Sequence, residues 1–330
     1  MRKLLAVFVV VLMVGAVFGA ATAEAAKKQY CFAMPNATHG FMAYAIQLVR
    51  ENLARQGANF PDIETRLLTS ADPSEQSNQL ATLINEKVDT IVLWPHNGED
   101  LRSAAQDVID AGIKLVVFDR LIPDIAPISE ADMDNFAYGV SCTKALNNFF
   151  KHRLDKGEKI KILVILGDNS TASNHRYDGL KETKHANIEI VQSINCDWQR
   201  SKGLDFMETF LANSRKEDIE AIDAIFSCDD EAVAGAFDAM INYNGSASLS
   251  NLKMISLVGW SEETVKMTGA MLEKFNILHH ICFVAPAGVA ETGVAVGFDV
   301  ASGKEVPKQV KIGYLEINVY NYGTFLEEFF

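Results

Sequence analysis

Short, uninterrupted runs of apolar residues recur along this chain, each followed by a helix-like stretch. That alternation leaves few folds open. Leu115-Val116-Val117-Phe118 is the clearest run. A strand apolar at every position must be covered on both faces, which calls for a parallel sheet with helices on each side. Similar strands are expected over residues 29–34, 90–94, 160–166, 189–194, 221–227, 253–258 and 278–284. Amphipathic helices are expected between them, over 41–55, 74–86, 100–111, 199–212 and 231–242. In the first of these, Phe41, Ala45, Leu48 and Asn52 track one face, and Val49 and Leu53 widen it.

The strand, acidic loop, helix, strand pattern of residues 89–120 repeats over 223–260. No low-complexity linker parts the two halves. With 330 residues the chain exceeds what one core organises, so two similar doubly wound lobes are expected, joined by strand crossovers. The expected division places 27–133 plus 285–316 in the first lobe and 134–284 plus 317–330 in the second.

Arg2 and Lys3 precede a run of apolar residues from Leu4 to Phe18, followed by Ala21-Thr22-Ala23 and Ala23-Glu24-Ala25. This is the pattern of a cleavable export leader over residues 1–26, cut near Ala23 to Ala26. The apolar run falls short of the roughly 20 residues a spanning helix needs, so no stable membrane insertion is expected. A net charge of −13 speaks against nucleic acid, which demands a basic face. The five cysteines, at 31, 142, 196, 228 and 282, form no C-x-x-C pair and read mostly as small core residues.

In open α/β sheets, ligands bind beyond the carboxyl ends of the strands. The residues there are His39-Gly40-Phe41, Pro95-His96-Asn97, Asp119-Arg120, Gly167-Asp168-Asn169, Asp197-Trp198, Asp229-Asp230-Glu231 and Gly259-Trp260-Ser261. Carboxylates and guanidinium forks suit vicinal hydroxyls, and aromatic faces cover the C–H surface of a sugar ring.

Order and spacing here resemble the ribose-binding protein family of type I periplasmic receptors, across essentially the whole chain after the leader. The segment Ala111-Gly112-Ile113-Lys114-Leu115-Val116-Val117-Phe118-Asp119-Arg120 carries most of the likeness. Asp134-Asn135, Arg176-Tyr177-Asp178-Gly179, Asp197-Trp198-Gln199-Arg200 and Leu257-Val258-Gly259-Trp260 support it. The resemblance implies a bacterial periplasmic receptor, expected to act as a monomer. It would capture a sugar or polyol without cofactor, metal or catalysis and deliver it to the permease subunits of an ABC importer. It also implies roles for Phe41 and Trp198 as opposed stacking rings, and for Asp119, Arg120 and Arg176 as hydroxyl contacts. Asp229 falls where ribose receptors carry an amide, and His39 where an asparagine is usual. Met42, Ser261 and Val284 also depart from the family pattern, so ribose itself is not implied.

Several of these residues have a second reading. Phe41 opens an amphipathic helix and suits packing as well as stacking. Asp229 and Ser261 suit helix N-caps, which at Asp229 is compatible with ligand contact. His96 and Asn97 read as a rim loop. His279 and His280 are adjacent on a strand and point to opposite faces, which argues against joint metal ligation. A sensory subunit feeding a chemoreceptor or kinase is one rival function. A carbohydrate-active enzyme using Asp119 and Asp229 is another, although G-x-S-x-G, P-loop and H-E-x-x-H patterns are absent.

Overall fold

The computed structural model describes residues 26–330. The leader expected over residues 1–26 therefore falls, apart from Ala26, outside the described residues. The first part of the chain runs β1 (Lys28–Pro35), α1 (Gly40–Gly57), β2 (Ile63–Ser70), α2 (Pro73–Glu86), β3 (Thr90–Leu93), α3 (Gly98–Asp110), β4 (Lys114–Phe118) and β5 (Ser129–Met133). The middle runs α4 (Asn135–Phe149), α5 (Lys151–Asp155), β6 (Ile160–Leu166), α6 (Thr171–Thr183), β7 (Ile188–Asn195), α7 (Arg200–Asn213) and α8 (Lys216–Glu220). After it come β8 (Ala224–Ser227), α9 (Asp230–Asn242), β9 (Met254–Gly259), α10 (Glu262–Phe275), β10 (Leu278–Phe283), α11 (Pro286–Ser302), β11 (Gln309–Ile312), β12 (Leu315–Asn318) and α12 (Tyr322–Phe329).

The strands form two six-stranded sheets of matching order, β11-β5-β4-β3-β1-β2 and β12-β10-β9-β8-β6-β7. All pairings are parallel except β10 with β12, which is antiparallel. The apolar run Leu115 to Phe118 is fully buried, as a strand covered on both faces must be. Helix α11 lies on β1, β3 and β4 of the first sheet, and α4 lies on β8, β9 and β10 of the second. The chain thus crosses between lobes three times: after β5, after β10 and between β11 and β12. Leu315 and Glu316, expected in the first lobe, instead pair with Phe283 and Cys282 of the second. The crossover occurs at residues 313–314, where Gly313 separates two short edge strands.

Side-chain caps fix where helices begin. Asp72, Asn97, Asp134, Asp229 and Ser261 each accept an amide N–H from the first turn of α2, α3, α4, α9 and α10. Each cap contributes about 1 kcal/mol. All five cysteines are buried and unbridged. Among the described residues, no helix is long and apolar enough to cross a membrane.

Candidate functional site

The carboxyl ends of both sheets face each other across one cleft. Residues of both lobes line it. The centres of water-sized molecules can occupy about 60 Å³ of it, several times the roughly 10–15 Å³ a single buried water needs. The cavity therefore suits a compact molecule rather than one water or an extended chain.

Asp119 reaches this space through an unusual backbone. Directly after β4 it takes a left-handed conformation, with φ of 63°, which aspartate tolerates better than most residues. Its amide donates to the Ala131 carbonyl at 2.9 Å, fixing the kink against β5. The side chain is buried and its Oδ1 has no hydrogen-bond partner. Burial pushes the carboxyl up to about 6, against the opposing pull of Arg120 and Arg176. The Trp94 indole also favours the charged acid, but its N–H does not reach hydrogen-bond geometry.

The two guanidiniums are held by the protein itself. Arg120 Nη1 donates to the His96 carbonyl, and Arg120 Nη2 stands 3.6 Å from Asp168 Oδ2 of the second lobe. Its Nε remains without a partner. Asp168 stays low despite burial, because Arg120 and the Ser170 amide favour the charged form. Arg176, on α6, donates from Nε to Asn135 Oδ1 at 2.8 Å and from Nη1 to the Cys228 carbonyl at 2.6 Å. Its guanidinium lies 5.5 Å from the centre of the Trp198 ring and 5.8 Å from that of Tyr138.

Trp198 is aimed by a tight turn. Asp197 and Trp198 both have positive φ, 49° and 61°, and the Gln199 amide closes the turn onto the Cys196 carbonyl at 2.9 Å, as in a type I′ turn. Gly167 leaves room for the ring: a Cβ there would stand 2.3 Å from Trp198 Cη2. His39, on the first lobe, has its ring centre 6.5 Å from that of Trp198. Burial and the nearby Arg120 lower its pKa to about 4, so its imidazole is neutral at pH 7.

Phe41 packs against other rings and also borders the cavity. It meets Trp260 and Trp94 edge-on, at 5.6 and 6.2 Å between ring centres, while lining the cavity. Asp229 is also double: its Oδ2 caps α9 through the Ala232 amide at 2.9 Å, and the residue lines the cavity. Burial and the adjacent Asp230 push its carboxyl up to about 8.

All seven residues expected at the site, His39, Phe41, Asp119, Arg120, Arg176, Trp198 and Asp229, line this one cavity. Trp94, Asp230 and Trp260 line it as well; the last two stand at strand ends noted in the sequence, but none of the three was assigned a contact role from it. Asp230 Oδ2 accepts from the Trp260 and Ser261 amides at 3.0 and 3.2 Å and so sets the start of α10. Its Oδ1 is buried without a partner. The rim-loop residues point elsewhere. His96 Nε2 lies 3.1 Å from Ser70 Oγ, and Asn97 caps α3. Ser261 caps α10. His279 is packed against Thr268, 3.0 Å from its hydroxyl.

Contacts across the cleft hold the lobes together in this closed arrangement. The Leu121 amide donates to Thr171 Oγ1 at 3.1 Å. The His39 side chain does not cap α1; the Glu231 carboxylate of the second lobe sits against the Gly40 and Phe41 amides instead. Opening the cleft hydrates Asp119 and Asp229 and moves both back toward their ordinary value of 3.8. Both are raised in the closed form, so closure without ligand favours their protonated state. That contribution is present at low pH and is lost as pH rises through about 6 and about 8. His39 has the opposite sign, but only between its ordinary 6.5 and about 4. The radius of gyration of ligand-free protein, measured by small-angle scattering, is therefore expected to increase between pH 6.5 and 8.5. A constant or shrinking radius contradicts this linkage.

Comparison with known proteins gives the arrangement a family. Over 239 residues the chain is 23% identical to the ribose import binding protein RbsB of Bacillus subtilis, covering 72% of each chain. It is 29% identical over 242 residues to the D-xylose-binding periplasmic protein of Escherichia coli, covering 70% of this chain and 66% of that one. An ABC transporter solute binding protein of Bacillus halodurans, solved with bound myo-inositol, shares the fold with a TM-score of 0.75 at 20% identity. That match covers 93% of this chain and 100% of the other. The model of the periplasmic binding protein domain matches residues 30–305, and the chain belongs to that family.

Proposed function

We propose that this protein is an exported receptor that closes its two lobes around one small polyhydroxylated molecule, a monosaccharide or a cyclic polyol, and presents it to an ABC importer. One observation carries the reading. The residues lining the cavity hold both kinds of unused hydrogen-bonding group: the donors Trp94 Nε1, Trp198 Nε1, Trp260 Nε1 and Arg120 Nε, and the acceptors Asp119 Oδ1 and Asp230 Oδ1. A hydroxyl is donor and acceptor at once, so a ring bearing several of them answers both sets. Unanswered, each buried group costs about 1–3 kcal/mol. The aromatic walls cover the apolar C–H faces that such a ring also presents.

Closure follows from differential affinity. A ligand touching Asp119 and Arg120 on one lobe, and Arg176 and Trp198 on the other, binds the closed form far better than the open one. The named side chains give the site hydrogen bonds and ring faces, and the reading includes no chemical step on the ligand. Incubating the bound ligand with the protein and recovering it unchanged supports capture over catalysis.

A thermal-shift screen over pentoses, hexoses, sugar acids and cyclic polyols tests the reading. A ligand at a hundred times its Kd stabilises the folded state by about 2.7 kcal/mol, a rise of several degrees in Tm for a protein of this size. Failure of every polyhydroxylated compound to raise the Tm overturns it.

A further inference from the structure

Helix α1 starts without a side-chain cap of its own. His39 precedes it in extended backbone, and its ring accepts no amide from the first turn. The missing acceptor comes from the opposite lobe. The Glu231 carboxylate, in the first turn of α9, takes the Gly40 and Phe41 amides. A Cβ on Gly40 would stand 2.4 Å from Glu231 Oε1 and 3.3 Å from Trp260 Cζ2, so the lobes meet here at a bare backbone. Beside that point Trp260 packs on Phe41 and Tyr44, at 5.6 and 6.3 Å between ring centres. Asp230 fixes Trp260 by accepting its amide at 3.0 Å. Neither Glu231, Gly40 nor Tyr44 lines the cavity.

An acid at a helix N-terminus satisfies amides that otherwise need water and suits the positive end of the helix dipole. At α1 that gain exists only while the lobes are closed, because the acid belongs to the other lobe. We propose that Glu231 is a closure latch, a positioning residue whose contact with the start of α1 stabilises the closed form without touching the ligand. The inference rests on the two-lobe closure proposed above and not on which molecule is captured.

Spin-label distance measurements on the ligand-free protein without its leader, at pH 6.5, test this. One nitroxide is placed on each lobe, at Ser103→Cys and Glu182→Cys, both exposed, while the five native cysteines are buried. Their helices α3 and α6 border one groove between the lobes, so the label separation distinguishes closed from open molecules. Glu231→Ala is expected to lower the closed-to-open ratio about fivefold, the equivalent of one lost helix cap. Gly40→Ala is expected to lower it too, by displacing the carboxylate from the other side. In the double variant the second change is expected to add less than about twofold, since both break one contact. Glu262→Ala, which removes an exposed acid from the first turn of α10, is expected to leave the ratio unchanged. In each variant the Tm is expected to fall by no more than about 4 °C.

An unchanged ratio in Glu231→Ala, fully additive effects of the two substitutions, or an equal fall in Glu262→Ala overturns the latch. A larger loss of Tm in Glu231→Ala also overturns it, by showing that the residue holds α9 together. The measurement uses no ligand, so its failure leaves the polyol reading to be decided by the thermal-shift screen.

Discussion

Asp119→Ala is expected to weaken ligand binding at least about a hundredfold while the protein still folds. The carboxylate is the one first-lobe anion in the cavity, and both guanidiniums act on it. Hydrogen bonds to a charged group contribute about 1.5–3 kcal/mol each. Two such bonds to vicinal donors therefore account for about 3–6 kcal/mol, or a hundredfold to ten-thousandfold in Kd. Two opposing effects bear on the fold. Alanine at a φ of 63° costs about 1–2 kcal/mol, and removing a buried carboxyl with an unpartnered oxygen recovers a comparable amount. Titration calorimetry beside a melting curve separates the two quantities. Retained binding removes Asp119 from the site, and a collapsed melting curve shows the residue to be structural.

Gly139→Ala is expected to destabilise the protein by about 2–4 kcal/mol. Gly139 lies on α4 where it crosses α6, and a Cβ there would stand 2.0 Å from the Arg176 carbonyl oxygen. That neighbour is backbone, so no side chain can rotate away. Helix α6 has to shift, and Arg176 moves with it, away from Asn135 and the Cys228 carbonyl. Both the denaturation midpoint and ligand affinity should fall together. An unchanged midpoint contradicts a rigid α4–α6 contact, and a lowered midpoint with unchanged affinity contradicts the dependence of the site on it.

Central strands were legible in the sequence because burial on both faces makes them apolar throughout. Strands β4 and β6 have the bounds their apolar runs suggest. Edge strands carry no such mark. Strand β2 has polar residues at most positions and pairs only with β1; β11 and β12 are four residues each and mostly exposed or half-buried. That is why the last crossover was expected two residues too late. Most residues of the cavity wall were legible for a related reason, since parallel strands all deliver their following residue to the same cleft. Trp94 was read as the end of its strand, and Trp260, though placed at a strand end, was assigned no contact, because an aromatic next to an apolar run also reads as core. Asp230, likewise at a strand end, was assigned none because an acid in a first helical turn already has an explanation. The left-handed turns at Asp119, Asp197 and Trp198 left no trace, as no glycine marks them.

The triple crossing bears on how the molecule matures. Helix α11 and strand β11 complete the first sheet, yet they lie after the whole of the second lobe's main sheet in chain order. Until α11, ending at Ser302, is available, the face of β1, β3 and β4 that it shares with α1 stays incompletely covered. The amino-terminal half is thus unable to finish its core early, and its assembly depends on contacts more than 250 residues apart, such as Tyr30 with Val294. Such long loop closures slow folding and leave a sticky sheet exposed meanwhile, so a growing or partly delivered chain remains unfolded and threadable until nearly its last segment arrives.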